Sequence, residues 1–238
     1  MTFELPYSPE VAHRFDGLYQ WLSRRFALQY HDLDLGNRTI PFYQVGDVDA
    51  VIDRIASESA DPDRDTPYWA ELWPASRALA LYLLQEVDFD ERYCLELGCG
   101  LGLAGVAAGL KGARVCFSDR DPEALRMAEL NWIVNFHNLP DVLLLDWRDA
   151  QPVPEGIEVI LAADVAYEPH SFRSFIGLCS RMLAPEGVIY LSEPNRTVAD
   201  PFFQAFREGG FQLENFTITV ANASRPANVS IYRITRSG

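Results

Sequence analysis

Four carboxylates stand where short apolar runs stop: Glu96 within Tyr93-Cys94-Leu95-Glu96-Leu97, Asp119 after Arg114-Val115-Cys116-Phe117-Ser118, Asp146 after Val142–Leu145, and Asp164 after Ile157–Ala163. Trp147 follows Asp146 directly, and Tyr167 lies three residues past Asp164. Any one of these acids could be a solvated loop residue or a helix cap, and Asp121, just ahead of Pro122, reads as such a cap. Together at the ends of successive strands they suit a ligand with hydroxyls to bind and a positive charge to balance.

Glycines lie beside the first of the acids. In Glu96-Leu97-Gly98-Cys99-Gly100-Leu101-Gly102 they recur two apart, and helical spacing follows from Leu101 to Leu110. The pattern predicts strand, tight turn and helix, with Gly98, Gly100 and Gly102 allowing positive φ and leaving no Cβ in a ligand's way. Two ligands compete for such a turn. Gly100-x-Gly102-x-x-Gly105, with Asp119 and Asp121 about 20 residues on, satisfies the dinucleotide fingerprint. A carboxylate at the strand end is the wrong charge beside a pyrophosphate and the right one beside an ammonium, which favours S-adenosylmethionine over NAD. A turn that serves only strand–helix packing is the plainer alternative.

The elements that must position these residues follow from periodicity. Apolar residues at three- and four-residue steps predict a helix from Pro9 to Phe26; Leu28–Leu35 and Thr39–Val45 alternate around Leu35-Gly36-Asn37-Arg38 as a hairpin; Val48–Ala56 is a short helix; Ser57–Thr66 is a polar loop. Residues 1–66 thus form a helical and hairpin extension, too short and acidic to bury much alone, and 67–238 form the main domain. Pro74 opens a helix running to Leu84. Trp69 and Trp73, just ahead of it, are read as a ligand wall, with a core role for one of them equally open. Downstream come strand Arg114–Ser118, helix Pro122–Phe136, strand Val142–Leu145, strand Ile157–Ala162, helix Ser171–Leu183, a turn at Ala184-Pro185-Glu186-Gly187, strand Val188–Ser192, helix Pro201–Glu208, and strands Phe211–Val220 and Val229–Thr235. The result is an α/β, Rossmann-like, seven-stranded and mostly parallel sheet with helices on both faces and one antiparallel strand, and binding belongs at the carboxyl ends of the strands.

Composition narrows the classes. A net charge of −14 argues against a phosphate-binding face, so nucleic acid is not an expected partner, while an acidic field favours a cationic one. Lys111 is the sole lysine. Cys94, Cys99, Cys116 and Cys179 show no C-x-x-C spacing and read as reduced structural thiols; the four histidines are scattered, and no metal site is expected. No apolar run approaches the ~20 residues of a membrane span, so no membrane partner is expected. Met1-Thr2-Phe3-Glu4 lacks signal-peptide character, which makes the cytoplasm the expected compartment.

The residues Pro67-Tyr68-Trp69-Ala70 through Trp73-Pro74, Glu-Leu-Gly-Cys-Gly-Leu-Gly-Leu from Glu96, and Asp164-x-x-Tyr167 resemble the seven-β-strand S-adenosylmethionine-dependent methyltransferases, in the branch called methyltransferase family 16, which includes many protein-lysine methyltransferases. The Pro-Tyr-Trp-Ala segment looks closest to the enzymes that methylate lysines of the electron-transfer flavoprotein β-subunit. Where those tend to carry paired glycines after Trp-Pro, this chain has Ala75-Ser76. The resemblance implies that Trp73 and Trp147 flank the cofactor, that Glu96 helps hold its methionine end through the turn, that Asp119 takes the ribose hydroxyls, that Ala163 lies near the reacting methyl, and that Asp164 and Tyr167 face the incoming amine. The implied activity is N-methylation of lysine on a protein. A small-molecule acceptor, an NAD-binding oxidoreductase and a silent binding module stay open.

Overall fold

The computed structural model describes residues 7–58, 66–149, 152–221 and 226–237. The first helix, α1 (Pro9–Ser23), is capped by the Ser8 hydroxyl accepting from Val11 N–H, with Pro9 in its first turn, and it buries Val11, Leu18 and Leu22 on one stripe. Strands β1 (Leu28–Asp34) and β2 (Thr39–Val45) pair antiparallel across a turn in which Gly36 takes φ +80° and donates to Asp34 Oδ1 at 2.9 Å. Helix α2 (Val48–Glu58) runs two residues beyond its expected end. Much of the expected polar loop, including Asp61-Pro62-Asp63-Arg64-Asp65, lies outside the described residues, as does Met1-Thr2-Phe3-Glu4.

The main sheet follows. Its elements in chain order are α3 (Pro74–Glu86), β3 (Tyr93–Leu97), α4 (Leu103–Gly109), β4 (Arg114–Asp119), α5 (Pro122–Phe136), β5 (Asp141–Leu144), β6 (Ile157–Ala163), α6 (Phe172–Met182), β7 (Leu183–Glu193), α7 (Asp200–Glu208), β8 (Phe211–Val220) and β9 (Ala227–Arg236). The strand order is β5-β4-β3-β6-β7-β9-β8, and β9 alone runs antiparallel to its neighbours. Alternation along the strands sorts the core into two layers. Cys94, Phe117, Val159 and Leu161 face α3, α4 and α5, whereas Leu95, Leu97, Ile160 and Ala162 face α6 and α7, where Phe172, Phe175, Phe202 and Phe206 pack ring on ring.

Some element ends move by a few residues, α1 stopping at Ser23 where Phe26 was expected, and three differences bear on the sheet and the site. Helix α4 starts at Leu103 instead of Leu101, because Gly98, Gly100 and Gly102 all hold positive φ and keep the chain turning. Strand β5 ends at Leu144, and Leu145 N–H donates to Asp119 O at 2.9 Å beyond it. The turn at 184–187 is a bulge within β7: Leu183 pairs with Ile157, and pairing resumes only at Val188 with Val159.

The N-terminal elements dock on α5 through polar side chains as well as apolar ones. Asn131, fully buried, accepts from Tyr43 N–H at 2.7 Å and donates to Tyr43 O at 3.0 Å and to Leu101 O at 2.9 Å. Arg14 grips Glu129 with two bonds of 2.6 Å, and Asn135 donates to Pro41 O at 2.9 Å. Leu18, Leu22, Phe42 and Val45 belong to the same continuous core as Phe117 and Leu130. A hairpin is marginal by itself, and here every backbone group of Tyr43 and a whole apolar face find partners on the main sheet's helix. At the opposite end of the sheet from the strand-end acids, Lys111 pairs with Asp88 at 3.0 Å.

Candidate functional site

A cavity of about 880 Å³ opens where β3, β4 and β6 end, at the break in strand order where open α/β sheets place their ligands. Its wall contains Trp69, Trp73, Gly98, Gly100, Asp119, Asp146, Trp147, Ala163, Asp164 and Tyr167. Ten of the twelve residues singled out in the sequence therefore meet on one surface. Glu96 and Gly102 do not line it.

The two exceptions have physical reasons. Glu96 sits on the helix-facing side of β3, is 1% exposed, and turns its carboxylate under the glycine loop, where Oε2 accepts from Gly105 N–H at 2.8 Å. It satisfies the open amides at the start of α4 from inside the protein, and burial pushes its pKa up to about 8. Gly102 faces α5: a Cβ there would lie 2.8 Å from Ala128 Cβ and 2.9 Å from its Cα, so this glycine sets a helix-to-loop distance. Gly98 and Gly100 do face the cavity. A Cβ on Gly98 would stand 3.4 Å from the Trp147 ring, and one on Gly100 3.4 Å from Trp69 O, with φ of +68° and +51° that side chains rarely adopt.

Asp119 is 8% exposed; Oδ2 accepts from Gly100 N–H and Oδ1 from Asp121 N–H, both at 3.0 Å. It clamps the glycine loop to the end of β4, lines the cavity, and has accepting capacity left on each oxygen. Burial raises its pKa to about 6 against those two bonds. Asp146 is held by Arg148 through paired bonds, Nε to Oδ1 at 2.9 Å and Nη2 to Oδ2 at 2.5 Å, and that pairing lowers its pKa. The two early tryptophans divide the roles expected of them. Trp69 is 7% exposed and packs edge-on against Phe26, and its buried Nε1 makes no close hydrogen bond among the described residues but stands near the Asp121 carboxylate, where it partly offsets the rise that burial gives that acid's pKa. Trp73 is pinned by Nε1 donating to Tyr68 O at 2.8 Å. Tyr167 packs on Tyr68 with centroids 5.3 Å apart, and burial pushes its pKa up to about 12, so it stays a phenol at neutral pH.

Asp164 lines the same cavity at the end of β6. It has left-handed backbone, φ +61°, its N–H donates to Ser192 O at 3.0 Å, and its carboxylate is gripped by both Nη atoms of Arg196. Arg196 and Glu193 beside it were not singled out by sequence reasoning. The signal was available, because Glu193 is the polar end of the strand after Ile157–Ala162. Trp21 and Ile55 of the N-terminal extension also line the cavity, and no pattern in their own helices announces this.

The raised values of Asp119 and Glu96 have a consequence for the protein alone. Both fold with pKa values above those of the unfolded chain, so the native state holds more protons across that interval, and stability falls as pH rises from about 4 through about 6 for Asp119 and about 8 for Glu96. Thermal unfolding followed from about pH 5 to about pH 7 should show the midpoint descending, and Asp119→Asn should flatten the slope between about pH 4 and 6 whatever its offset. An unchanged slope in that variant would assign the effect elsewhere.

The sheet order, glycine loop and strand-end cavity define a class I, Rossmann-like methyltransferase fold. Among solved structures that share it is the ribosomal protein L11 methylase of Lactobacillus delbrueckii subsp. bulgaricus, with a TM-score of 0.54 and 20% identity, covering 69% of this chain and 79% of that one. The profile of the lysine methyltransferase family matches residues 63–208, and the chain belongs to that family. It is 32% identical over 170 residues to mouse EEF1A lysine methyltransferase 3, covering 69% of this chain and 71% of the relative. It is 36% identical over 104 residues to the electron transfer flavoprotein beta subunit lysine methyltransferase of Danio rerio, covering 43% and 40% respectively. The chain is thus an S-adenosylmethionine-dependent methyltransferase. No helix among the described residues is long and apolar enough to cross a membrane.

Proposed function

We propose that this enzyme methylates the side-chain nitrogen of lysine on a protein, with the cofactor along the glycine loop and the amine meeting Asp164 and Tyr167. The observation that carries the reading is the cavity itself, whose single lining brings together a glycine cradle, an acid suited to a diol, and a buried carboxylate and a phenol, with Ala163 and Trp147 among them. The residues present fit the cofactor, since Gly98 and Gly100 line the cavity with φ of +68° and +51° and present bare backbone to it. When bound, S-adenosylmethionine supplies a methyl on a sulfonium, and the chain's own groups do the rest. Asp119 uses its spare lone pairs for the ribose hydroxyls. Trp73 and Trp147 wall the site and exclude water. Asp146, fixed by Arg148, holds the loop that carries Trp147. Glu96 acts one layer down, keeping the start of α4 in place.

An amine attacks only when neutral, and a carboxylate nearby favours its charged form. Asp164 therefore orients the amine and balances charge as the product forms, and it is not read as a strong base. Tyr167, held as a phenol, adds a hydrogen bond and a wall. Proximity in a dry pocket supplies much of the remaining acceleration. Residues 1–66 serve as an extension of a catalytic domain at 67–238, and Trp21 and Ile55 let that extension reach the cavity wall.

Labelled cofactor and enzyme added to a lysate of the source cells should label one or a few proteins on lysine nitrogen. Rising salt should slow the labelling, because a chain of net charge −14 steers a cationic partner through a field screened over ~10 Å at 0.1 M. Label confined to small molecules and indifferent to salt would replace the protein acceptor with a small amine.

A further inference from the structure

A cation of the chain itself already occupies the carboxylate proposed to meet the acceptor. Arg196 reaches Asp164 with both terminal nitrogens, Nη1 to Oδ1 and Nη2 to Oδ2, the latter at 3.2 Å. Asp164 is 8% exposed and lines the cavity, so an amine arriving there meets a filled ion pair. Three residues before Arg196, at the end of β7, Glu193 is 1% exposed. Its Oε2 accepts the Arg196 backbone N–H at 2.9 Å. Its Oε1 is buried with no hydrogen-bond partner among the described residues and lies 3.6 Å from Arg196 Nη1.

Two buried carboxylates thus share one guanidinium, and one carboxylate oxygen is left short of a bond. An unsatisfied buried charged acceptor is costly, and so is a buried ion stripped of its partner. A small rotation of the guanidinium toward Glu193 would convert the 3.6 Å approach into a hydrogen bond while releasing Asp164. That rotation is unfavourable alone, because it strands Asp164. It becomes favourable when a second cation arrives, since two cations then serve two carboxylates.

We propose that Arg196 is the resting counter-ion of Asp164 and that it shifts onto Glu193 when the acceptor's cation takes its place, so that acceptors are admitted by ion exchange. This deepens the reading of Asp164 as the acceptor-facing group and rests on it. Arg196 and Glu193 are then positioning residues that set specificity: a hydroxyl or carboxylate acceptor brings no positive charge and leaves Arg196 where it is.

The test uses n-butylammonium, a mimic of the lysine side chain, against the uncharged n-butanol, with the guanidinium 15N resonance of Arg196 as readout, assigned by its disappearance in Arg196→Lys. Butylammonium should shift that resonance saturably, butanol should not, and Asp164→Asn should abolish the response. Glu193→Gln should weaken butylammonium binding by about fivefold or more, because the receiving charge is gone. Arg196→Lys, which keeps a cation but loses the planar fork, should tighten binding, read by calorimetry. Arg196→Gln should tighten it further if the variant folds. An Arg196 resonance that ignores butylammonium, or equal affinities in wild type, Glu193→Gln and Arg196→Lys, would overturn the exchange. These outcomes are independent of the lysate labelling: exchange without labelled lysine would remove the protein substrate and leave a cation-selective site, whereas labelled lysine without exchange would remove only the role of Arg196.

Discussion

Replacing Asp164 by alanine is expected to lower methyl transfer by about 10²–10³-fold while affinity for S-adenosylhomocysteine stays within a few fold. Among the described residues, the bonds of Asp164 run to Arg196 and Ser192 and none to Asp119 or the glycine loop, so its loss leaves the loop clamp in place and removes a group whose value is expected to rise as charge develops on the acceptor. Calorimetry with S-adenosylhomocysteine and turnover on the labelled protein acceptor separate the two quantities. Turnover equal to wild type would leave Asp164 as a structural partner of Arg196 and nothing more.

Gly105→Ala should be the most damaging single methyl in the chain's first βαβ unit. A Cβ at this position overlaps Phe117 Cε1 and lies 2.7 Å from Glu96 Oε2 and 3.0 Å from Phe117 Cζ. The ring is 0% exposed and the carboxylate 1%, so neither can move into solvent. Overpacking of this kind costs about 3 kcal/mol, and a domain of this size loses roughly 2–4 °C of melting temperature per kcal/mol, for a fall of about 6–12 °C. Gly17→Ala gives the contrast: it lies within α1 with nothing within 4 Å of its Cβ, and should raise stability by up to about 1 kcal/mol through helix propensity. Equal melting temperatures for the two variants would refute the packing argument.

The fold was readable because alternation is strict: Cys94, Phe117 and Leu161 fall on one face and Leu95, Cys116 and Ile160 on the other, a division that residue order alone conveys. The edge of the sheet that carries the cavity was readable because its strands end in acids. What alternation cannot give is the direction of a buried acid. Glu96 shares its face with Cys94, and that placed it beneath the glycine loop instead of in the cavity. The pairing of Asp164 with Arg196 crosses 32 residues and depends on β6 lying beside β7, information absent from either segment alone. Docking of the N-terminal helix and hairpin left a fainter trace: Glu129, which meets Arg14, and Asn131, which meets Tyr43, interrupt an apolar helix, and a polar residue on a buried helix face signals a partner elsewhere in the chain.

The placement of Lys111 bears on self-modification. The chain's single lysine side chain lies between α4 and β4, at the amino end of the sheet, tied to Asp88 at 3.0 Å and on the side away from the cavity. An enzyme copy therefore cannot present its own lysine side chain to its own Asp164 without unfolding the helix and strand that flank it. Radiolabel on Lys111 in a purified sample would have to come from one molecule acting on another, and its rate would rise with the square of protein concentration.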